Sequence, residues 1–343
     1  MKSRAALLRE FGKGLRLETV EIPSPKGEEV LIRVEGAGVC RTDLRIISGV
    51  EAKPGFKLPI ILGHENAGRV VEVGENVRGL KPGDRVLVYS TWGDLTCRYC
   101  RRGLYSLCPN QIIPGQNTNG GYSEYMLVES YRWVERIGDL DPVEAAPLAD
   151  AGTTSMGALR LASPYVEVGK PMVIYGVGGL AVYAIQLARL LFRESPVIAV
   201  SRNRKRRELA LNLGAEEAVD PNELEEAVKR STGGEGIPVA IDLVGTEETT
   251  MRLSKVLAVD GAVILVGIEG RTISAPTFDV VVWNKKIIGS NYGTMNDMAD
   301  VIKLIQQGKV KSMVVKRNLE EINQAMADLR EGRVEAGRQV IVP

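Results

Sequence analysis

The stretch MVIYGVGGLA, residues 172–181, decides the fold of this 343-residue chain. It begins with a continuous apolar run that ends at Tyr175 and is typical of a buried strand. A helical pattern follows from Leu180 to Leu191, so the glycines lie where a strand passes into a helix. This arrangement is the dinucleotide-binding fingerprint in its G-x-G-x-x-A form.

Each small residue of the fingerprint has a physical task. Gly176 permits the tight turn, Gly178 lets the backbone approach a pyrophosphate, and Ala181 keeps the helix close to the strand. The helix that begins beside Gly179 presents its free N–H groups to the phosphates. Glycine-rich turns are common by themselves, but this position between a strand and a helix predicts a cofactor site.

The rest of the chain divides into two kinds of pattern, and its length suits two domains. Residues 151–290 alternate strand and helix, which predicts an α/β domain with a doubly wound parallel sheet and helices on both faces. Residues 1–150 consist mainly of short apolar segments separated by turn signals, which predicts a compact β-rich domain.

The second strand of the alternating region, residues 197–200, indicates which dinucleotide is bound. An NAD site normally has Asp or Glu after this strand, whereas this chain has Ser201 and Arg202. A hydroxyl and a guanidinium suit a 2′-phosphate, because guanidinium binds phosphate through two charge-assisted hydrogen bonds. The pair predicts NADP(H) in preference to NAD(H). The following charges at 204–207 have the alternative of a solvated helix face, which is the preferred explanation for Lys205, Arg206 and Arg207, so the inference depends on Ser201 and Arg202.

Net charge and hydropathy argue against nucleic-acid-binding and membrane proteins. The 44 Lys and Arg residues balance 43 Asp and Glu residues and leave a net charge of +1, so no overall field favours nucleic acid or an anionic membrane. No apolar run is long enough to span a bilayer, and charges at positions 4, 9 and 10 interrupt any signal peptide. We expect a soluble, cytoplasmic protein.

The cysteines point to metal binding. Cys97, Cys100 and Cys108 fall within twelve positions, and Asp94 stands three residues before the first of them. In a cytosolic setting such clustering favours metal over disulfides, and four ligands in one short lobe suit a closed tetrahedral zinc site. We predict a structural zinc in the lobe at 91–110. For Asp94 a solvated loop carboxylate is the alternative.

Two further side chains are metal ligands by type. His64 is the only histidine of the chain, and Cys40 is the one cysteine outside the lobe. Imidazole is the commonest metal ligand among side chains. Taken singly, however, each residue is also consistent with a buried structural role.

Together these motifs resemble those of one enzyme family. GVCRTD at 38–43, GHE at 63–65, the cysteine lobe, the glycine fingerprint and the closing GRQV at 337–340 resemble, in order and spacing, the zinc-dependent medium-chain alcohol dehydrogenases. The resemblance runs from end to end and looks especially close to archaeal and thermophilic members. It implies two domains: a GroES-like catalytic domain at 1–150 and 291–343, and a Rossmann cofactor-binding domain at 151–290.

The resemblance also implies a catalytic zinc with an open position for substrate. Its three protein ligands correspond to Cys40, His64 and Asp150. Glu65 corresponds to a glutamate that approaches the metal from behind. Asp43 corresponds to a carboxylate that orients the histidine and so fixes its tautomer.

Other roles follow from the same resemblance. Thr42 matches the residue that takes the proton of the alcohol and passes it towards the cofactor ribose. Arg45 stands where many relatives have a histidine that continues this relay, and a guanidinium cannot shuttle a proton near neutral pH. Exit of the proton through water or through the ribose is left open.

Three more residues match family positions around the ligands. Arg41 and Arg338 correspond to residues near the cofactor pyrophosphate, and an ordinary surface arginine is the alternative for each. Trp92 corresponds to an aromatic residue of the substrate pocket, and packing of the lobe is the alternative.

The predicted function is reversible hydride transfer between a primary or secondary alcohol and NADP(H), giving an aldehyde or ketone. A polyol, sugar or amino-alcohol dehydrogenase of the same fold is the first alternative, and a non-enzymatic binding protein is the alternative from another class. We expect a small-molecule substrate and a homo-oligomer, a tetramer in preference to a dimer. Neither nucleic acid nor a membrane is expected as a partner.

Overall fold

A computed structural model describes residues 1–50, 55–334 and 336–343. The chain forms two compact units, one consisting of residues 1–150 with 294–343 and the other of residues 151–293. The described part of the chain contains no helix of the length and hydropathy that a bilayer span needs.

The first unit is built mainly of short strands. Up to residue 150 its strands and α-helices are β1 (Lys2–Leu8), β2 (Arg16–Glu21), β3 (Val30–Gly38), α1 (Arg41–Ile47), β4 (Ile60–Ile61), β5 (Glu65–Val73), β6 (Arg85–Val88), β7 (Tyr125–Val128), β8 (Val134–Arg136) and α2 (Pro142–Ala145). Short 3-10 helices lie at Cys100–Arg102, Tyr105–Leu107, Tyr131–Trp133 and Ala146–Ala149.

The second unit alternates helices with strands. Its elements are α3 (Ala151–Ala162), β9 (Met172–Tyr175), α4 (Gly179–Leu191), β10 (Val197–Val200), α5 (Arg204–Asn212), β11 (Glu217–Val219), α6 (Leu224–Thr232), β12 (Ile237–Asp242), α7 (Glu247–Val256), β13 (Leu257–Leu265), α8 (Thr277–Val282) and β14 (Lys286–Gly289), with 3-10 helices at Ser163–Tyr165 and Pro221–Glu223. The chain then returns to the first unit through α9 (Met295–Gln306), β15 (Val314–Asn318), a 3-10 helix at Leu319–Glu321, α10 (Ile322–Arg330) and β16 (Arg338–Val342).

The second unit confirms the predicted doubly wound α/β domain. Its strands form one parallel sheet in the order β11-β10-β9-β12-β13-β14. The chain winds outward from β9 in both directions, so β9 is the topological switch point, beyond whose carboxyl end dinucleotides bind. Buried side chains such as Val173, Ile198 and Val263 form its core.

The first unit confirms the predicted β-rich domain. Its larger sheet runs in the order β15-β16-β3-β5-β6-β8, with β7 also paired to β3, and its smaller sheet in the order β2-β1-β4. The antiparallel register of β3 and β5 sets Gly38 opposite Glu65. A Cβ at Gly38 would overlap the Glu65 carboxylate. This register brings the segments of Cys40 and His64 to one end of the sheet.

The sequence located most elements of the second unit to within a few residues, as with α4, predicted at 180–191. It did not predict α1, α2, α3, α8 or α10. α1 lies in a region read as mostly β, and at 7 residues it is too short to show a clear helical period.

Candidate functional site

Four buried side chains of types that can bind a metal ion converge in the first unit. Cys40 lies between β3 and α1, His64 and Glu65 stand where β5 begins, and Asp150 follows the 3-10 helix Ala146–Ala149. One ligand atom from each of the four lies within 4.8 Å of all the others. None of these residues is more than 7% exposed. The fold therefore gathers ligands from three segments that are distant in sequence.

The spacing of three of these donors fits zinc. Asp150 Oδ2 lies 3.7 Å from Cys40 Sγ and 3.5 Å from His64 Nε2. Ligands held tetrahedrally at about 2.0–2.3 Å from a zinc ion are themselves about 3.3–3.8 Å apart. A thiolate, an imidazole and a carboxylate are ligand types of catalytic zinc sites, which keep a fourth position open. The three residues fit a zinc ion that can accept a substrate oxygen.

Asp43 lies on the side of the His64 imidazole that is opposite Asp150. Its Oδ1 is 3.5 Å from His64 Nδ1, and the opposite ring nitrogen, Nε2, is the one near Asp150. Asp43 Oδ2 accepts hydrogen bonds from the Cys40 N–H at 2.9 Å and from the Tyr122 hydroxyl at 2.7 Å. Burial, with the Asp43 charge beside it, raises the pKa of Tyr122 well above its ordinary value, so the phenol remains a donor.

Glu65 forms a buried ion pair with Arg338. Arg338 Nε lies 2.9 Å from Glu65 Oε2, and its Nη2 contacts Glu65 Oε1 and lies 3.2 Å from Asp150 Oδ2. Burial raises the pKa of Glu65 to about 7, against the opposing effect of the guanidinium. Only 7% of Arg338 is exposed. Its positive charge therefore compensates the negative charges of two carboxylates of the cluster. The predicted contact of Arg338 with the cofactor pyrophosphate stays a prediction.

Thr42 and Arg41 occupy the first turn of α1, directly after Cys40. Thr42 Oγ1 lies 3.6 Å from Cys40 Sγ, which places the hydroxyl beside the ligand cluster. Arg41 is exposed. Its predicted role near a pyrophosphate also stays a prediction.

Trp92 is 1% exposed, and its indole Nε1 donates a hydrogen bond to Tyr89 O at 2.7 Å. It lines a cavity of about 280 Å³ together with Ile61 and Met126, and none of the four clustered ligands lines that cavity. The indole is thus fixed by the backbone, and its contact with substrate stays a prediction.

The second cluster of metal-binding side chains is the cysteine lobe. Ligand atoms of Asp94, Cys97, Cys100 and Cys108 lie within 4.8 Å of one another. Asp94 Oδ1 accepts the Cys97 N–H at 2.9 Å, Asp94 Oδ2 accepts an amide hydrogen of Asn110 at 2.8 Å, and these bonds lower the Asp94 pKa. Three sulfurs and an ionised carboxylate fit a closed zinc site.

The lobe also shows how closely its backbone must pass the sulfurs. A Cβ at Gly93 would lie 2.5 Å from Cys100 Sγ, so the chain reaches this position only with glycine. Burial raises the pKa of Cys100 to about 12, whereas the N–H of Cys100 lowers the pKa of Cys97 by hydrogen bonding to it. Metal binding would draw the remaining protons from these thiols.

The glycine fingerprint has the predicted geometry. Gly176 has φ +96°, and a Cβ there would lie 2.6 Å from the Val244 side chain. Gly178 caps α4, which starts at Gly179, and a Cβ at Gly178 would meet nothing within 4 Å. Ala181 is fully buried. The turn is tight at its first glycine and open to an approaching ligand at its second.

The predicted phosphate-binding pair lies directly after β10. Ser201 is 8% exposed and its Oγ accepts the Asn203 N–H at 3.3 Å, while Arg202 is exposed. Arg207 Nη1 donates to Ser201 O at 2.7 Å and to Arg202 O at 3.1 Å. A solvated helix face is therefore an incomplete description of Arg207, because its guanidinium holds the turn that carries the pair.

Two residues that support the cluster of Cys40, His64, Glu65 and Asp150 were not predicted from the sequence. Tyr122 supports Asp43, as described above. Ser90 Oγ lies 2.7 Å from His64 O and 3.0 Å from Ala149 O, and its one O–H proton is shared between these carbonyls. Neither residue belongs to a spaced motif, because each acts through hydrogen bonds to partners far along the chain.

Comparison with known proteins agrees with this geometry. The family model of the alcohol dehydrogenase GroES-like domain matches residues 26–139, and the model of zinc-binding dehydrogenases matches residues 179–307. The chain is 58% identical to the D-arabinose 1-dehydrogenase (NADP(+)) of Saccharolobus solfataricus, over 100% of this chain and 98% of that protein. It is 39% identical to the NAD-dependent alcohol dehydrogenase of Sulfolobus acidocaldarius, over 98% and 99% of the two chains.

Solved structures show the same relationship. The D-arabinose dehydrogenase of Sulfolobus solfataricus superposes with a TM-score of 0.91 at 55% identity, over 100% of both chains. The alcohol dehydrogenase of Aeropyrum pernix superposes with a TM-score of 0.94 at 37% identity, over 99% of this chain and 100% of that one. The chain therefore belongs to the family of zinc-dependent alcohol dehydrogenases, with their GroES-like and Rossmann domains.

Proposed function

We propose that this chain is an NADP(H)-dependent zinc dehydrogenase that oxidises the C1 hydroxyl of a cyclic aldose, such as the pentose D-arabinose, to a lactone. The observation that carries this proposal is the 58% identity over the whole chain to a D-arabinose 1-dehydrogenase (NADP(+)). The sequence alone favoured primary or secondary alcohols and kept sugars as an alternative. The relative moves the sugar alternative to first place.

Cys40, His64 and Asp150 hold the catalytic metal in this proposal. A zinc ion bound there would polarise the substrate hydroxyl, and NADP⁺ would accept a hydride from the carbon that bears that hydroxyl. Asp43 keeps the imidazole turned so that Nε2 faces the cluster. Glu65 stays beside the ligands because Arg338 binds its carboxylate.

Thr42 takes the proton that the substrate hydroxyl loses. Its Oγ1 lies beside the ligand cluster, 3.6 Å from Cys40 Sγ. Arg45 follows one turn later in α1, and because a guanidinium does not act as a proton shuttle, it does not extend the relay. The proton then leaves through water or the cofactor ribose.

Asp94, Cys97, Cys100 and Cys108 hold a second zinc ion that stabilises the fold. These four ligands leave no open position, which is the property of a structural site. The lobe therefore takes no part in the chemistry.

Ser201 and Arg202 bind the 2′-phosphate of the cofactor, and the turn at 176–179 binds its pyrophosphate. The exposed guanidinium of Arg202 and the hydroxyl of Ser201 provide donors directly after β10. The NADP(+) in the name of the 58% identical relative supports this choice.

A substrate panel tests the proposal. Purified enzyme would be given D-arabinose, other aldoses and simple primary and secondary alcohols with NADP⁺ or NAD⁺, and reduced nicotinamide would be followed by absorbance. We expect the highest kcat/KM for an aldose with NADP⁺, and a lactone as product. A preference for simple alcohols would contradict the sugar assignment and leave the zinc dehydrogenase intact.

Oxidation of simple alcohols is the second candidate. It is favoured by relatives described as alcohol dehydrogenases, among them the Sulfolobus acidocaldarius protein and the Aeropyrum pernix structure. Both have lower sequence identity to this chain than the D-arabinose dehydrogenase has, although the Aeropyrum pernix structure superposes with the higher TM-score.

We further propose a cytoplasmic homo-oligomer, with a tetramer as first expectation. The helix α8 exposes Phe278 and Val281 at 63% and 72%, and β14 is an edge strand of the parallel sheet. Exposed apolar side chains near an unpaired strand edge are typical of contacts between subunits. Clustered free thiols are consistent with a reducing compartment. Light scattering would give the subunit number, and a monomer would contradict the proposal.

A further inference from the structure

Ser90 connects the two segments that carry His64 and Asp150. It lies two residues beyond β6 and is fully buried. Its single O–H proton is shared between two carbonyl oxygens, that of His64 with O···O 2.7 Å and that of Ala149 with O···O 3.0 Å. One of these carbonyls belongs to a clustered ligand, and the other belongs to the residue before a clustered ligand.

Both ligand segments need such a connection. His64 stands just before β5 and Asp150 just after a 3-10 helix, so each ligand lies at the end of a regular element. The distance between His64 Nε2 and Asp150 Oδ2, 3.5 Å, suits a shared zinc ion. A functional site must hold such geometry to about 0.5 Å, and it does so through hydrogen bonds that support the ligands.

We propose that Ser90 is a positioning residue of the catalytic metal centre, where its hydroxyl sets the spacing of His64 and Asp150. This inference rests on the proposed metal centre at Cys40, His64 and Asp150. It concerns how tightly the metal is held. Ser90 itself touches neither substrate nor metal.

Ser123 provides a matched control. It is also fully buried, lies in the same unit, and donates its hydroxyl to a backbone carbonyl, that of Tyr125, at 2.7 Å. That carbonyl belongs to no metal-binding segment. Ser123→Ala therefore removes an equivalent hydrogen bond without disturbing the ligand spacing.

The test measures metal retention in full-length holoenzyme. Wild type, Ser90→Ala and Ser123→Ala would be exposed to a chelator, and zinc per chain would be followed over time. The visible spectrum of the cobalt-substituted protein would report geometry at both sites. We expect Ser90→Ala to lose one metal per chain about 10-fold faster than wild type, the lower end of the effect of outer-shell partners. The lobe metal should leave at the wild-type rate.

Other outcomes distinguish a failure of the proposed metal centre from a failure of the proposed role of Ser90. A wild-type protein that holds only the lobe metal would contradict the proposed metal centre itself. Two metals that leave Ser90→Ala as slowly as they leave Ser123→Ala would overturn the role of Ser90 alone. Loss of both metals at the same faster rate would show a general loss of structure and would also overturn it.

A second pair of variants covers poor folding of Ser90→Ala. Ser90→Thr keeps the hydroxyl, and Ser90→Val introduces a side chain with nearly the shape of threonine but without the hydroxyl. We expect the threonine variant to retain the catalytic metal about 10-fold longer than the valine variant. Equal retention in this pair would refute the positioning role.

Discussion

The two metal-binding clusters differ in how the chain assembles them. The lobe takes Asp94, Cys97, Cys100 and Cys108 from one stretch of sequence, and its first two ligands remain partly exposed. The proposed catalytic cluster of Cys40, His64, Glu65 and Asp150 takes its ligands from three separate segments, and all of them are buried. The lobe is therefore set by local chain geometry, and the catalytic cluster by the packing of a whole domain.

This difference extends to the residues around each cluster. In the lobe the supporting hydrogen bonds come from near neighbours, such as the N–H of Cys97 to Asp94. Around the catalytic cluster they come from residues far along the chain, since Arg338 reaches Glu65 and Tyr122 reaches Asp43. A buried ion pair of this kind is costly to break, because the remaining partner keeps its charge away from water. We expect damage at one cluster to leave the other cluster intact.

Asp150→Ala should have the largest effect on activity. It removes the third ligand of the catalytic metal, so kcat/KM should fall more than about 100-fold, beyond the usual cost of losing an outer-shell partner. Metal analysis should show one zinc per chain in place of two, while circular dichroism stays unchanged. Asp94→Ala is the control and should keep the catalytic metal. An active Asp150→Ala enzyme would show that the third ligand lies elsewhere.

Cys100→Ser should instead act on stability. A structural zinc contributes folding energy directly, and for a domain of 150–250 residues ~1 kcal/mol corresponds to about 2–4 °C in Tm. A loss of several kcal/mol therefore lowers Tm by at least ~10 °C, measured by calorimetry. Below the lowered Tm, kcat/KM should stay within about twofold of wild type. Equal loss of activity and stability would show that the two clusters are coupled.

Arg202→Ala extends the comparison to another locally encoded site. A charge-assisted hydrogen bond contributes about 1.5–3 kcal/mol, so kcat/KM with NADP⁺ should fall about 10- to 100-fold, while that with NAD⁺ changes little. Arg204→Ala is the control, because that side chain is 86% exposed and pairs with Glu208. A similar loss with both cofactors would argue against recognition of the 2′-phosphate.

What could be foreseen follows the same division between local and assembled sites. The lobe, the glycine turn and the Ser201-Arg202 pair are all contiguous, so their spacing is visible in the sequence. Alternation of strand and helix likewise predicted the doubly wound sheet. The proposed catalytic ligands Cys40, His64 and Asp150 became a set only through resemblance to a family, since no spacing relates positions 110 residues apart.

The remaining features depend on packing. Arg338 was placed near a pyrophosphate by resemblance, but its pairing with Glu65 and Asp150 depends on how β16 lies beside β3. The roles of Ser90 and Tyr122 depend on single hydroxyl groups that meet partners across the domain. Buried hydroxyl contacts leave no periodic or compositional signal in a sequence.

Tyr122→Phe should have the smallest effect and tests how far support of the assembled site extends. The phenol donates to Asp43 Oδ2 at 2.7 Å, and Asp43 in turn faces His64 Nδ1. Because Tyr122 lies one contact further from the metal, kcat/KM should fall less than about 10-fold, below the range for direct outer-shell partners. Tyr183→Phe removes a similarly buried hydroxyl in the other unit and serves as control. Faster zinc loss in Tyr122→Phe but not in Tyr183→Phe would show that Tyr122 helps to hold the metal through Asp43 and His64. Equal rates of zinc loss would show that this support does not extend beyond Asp43.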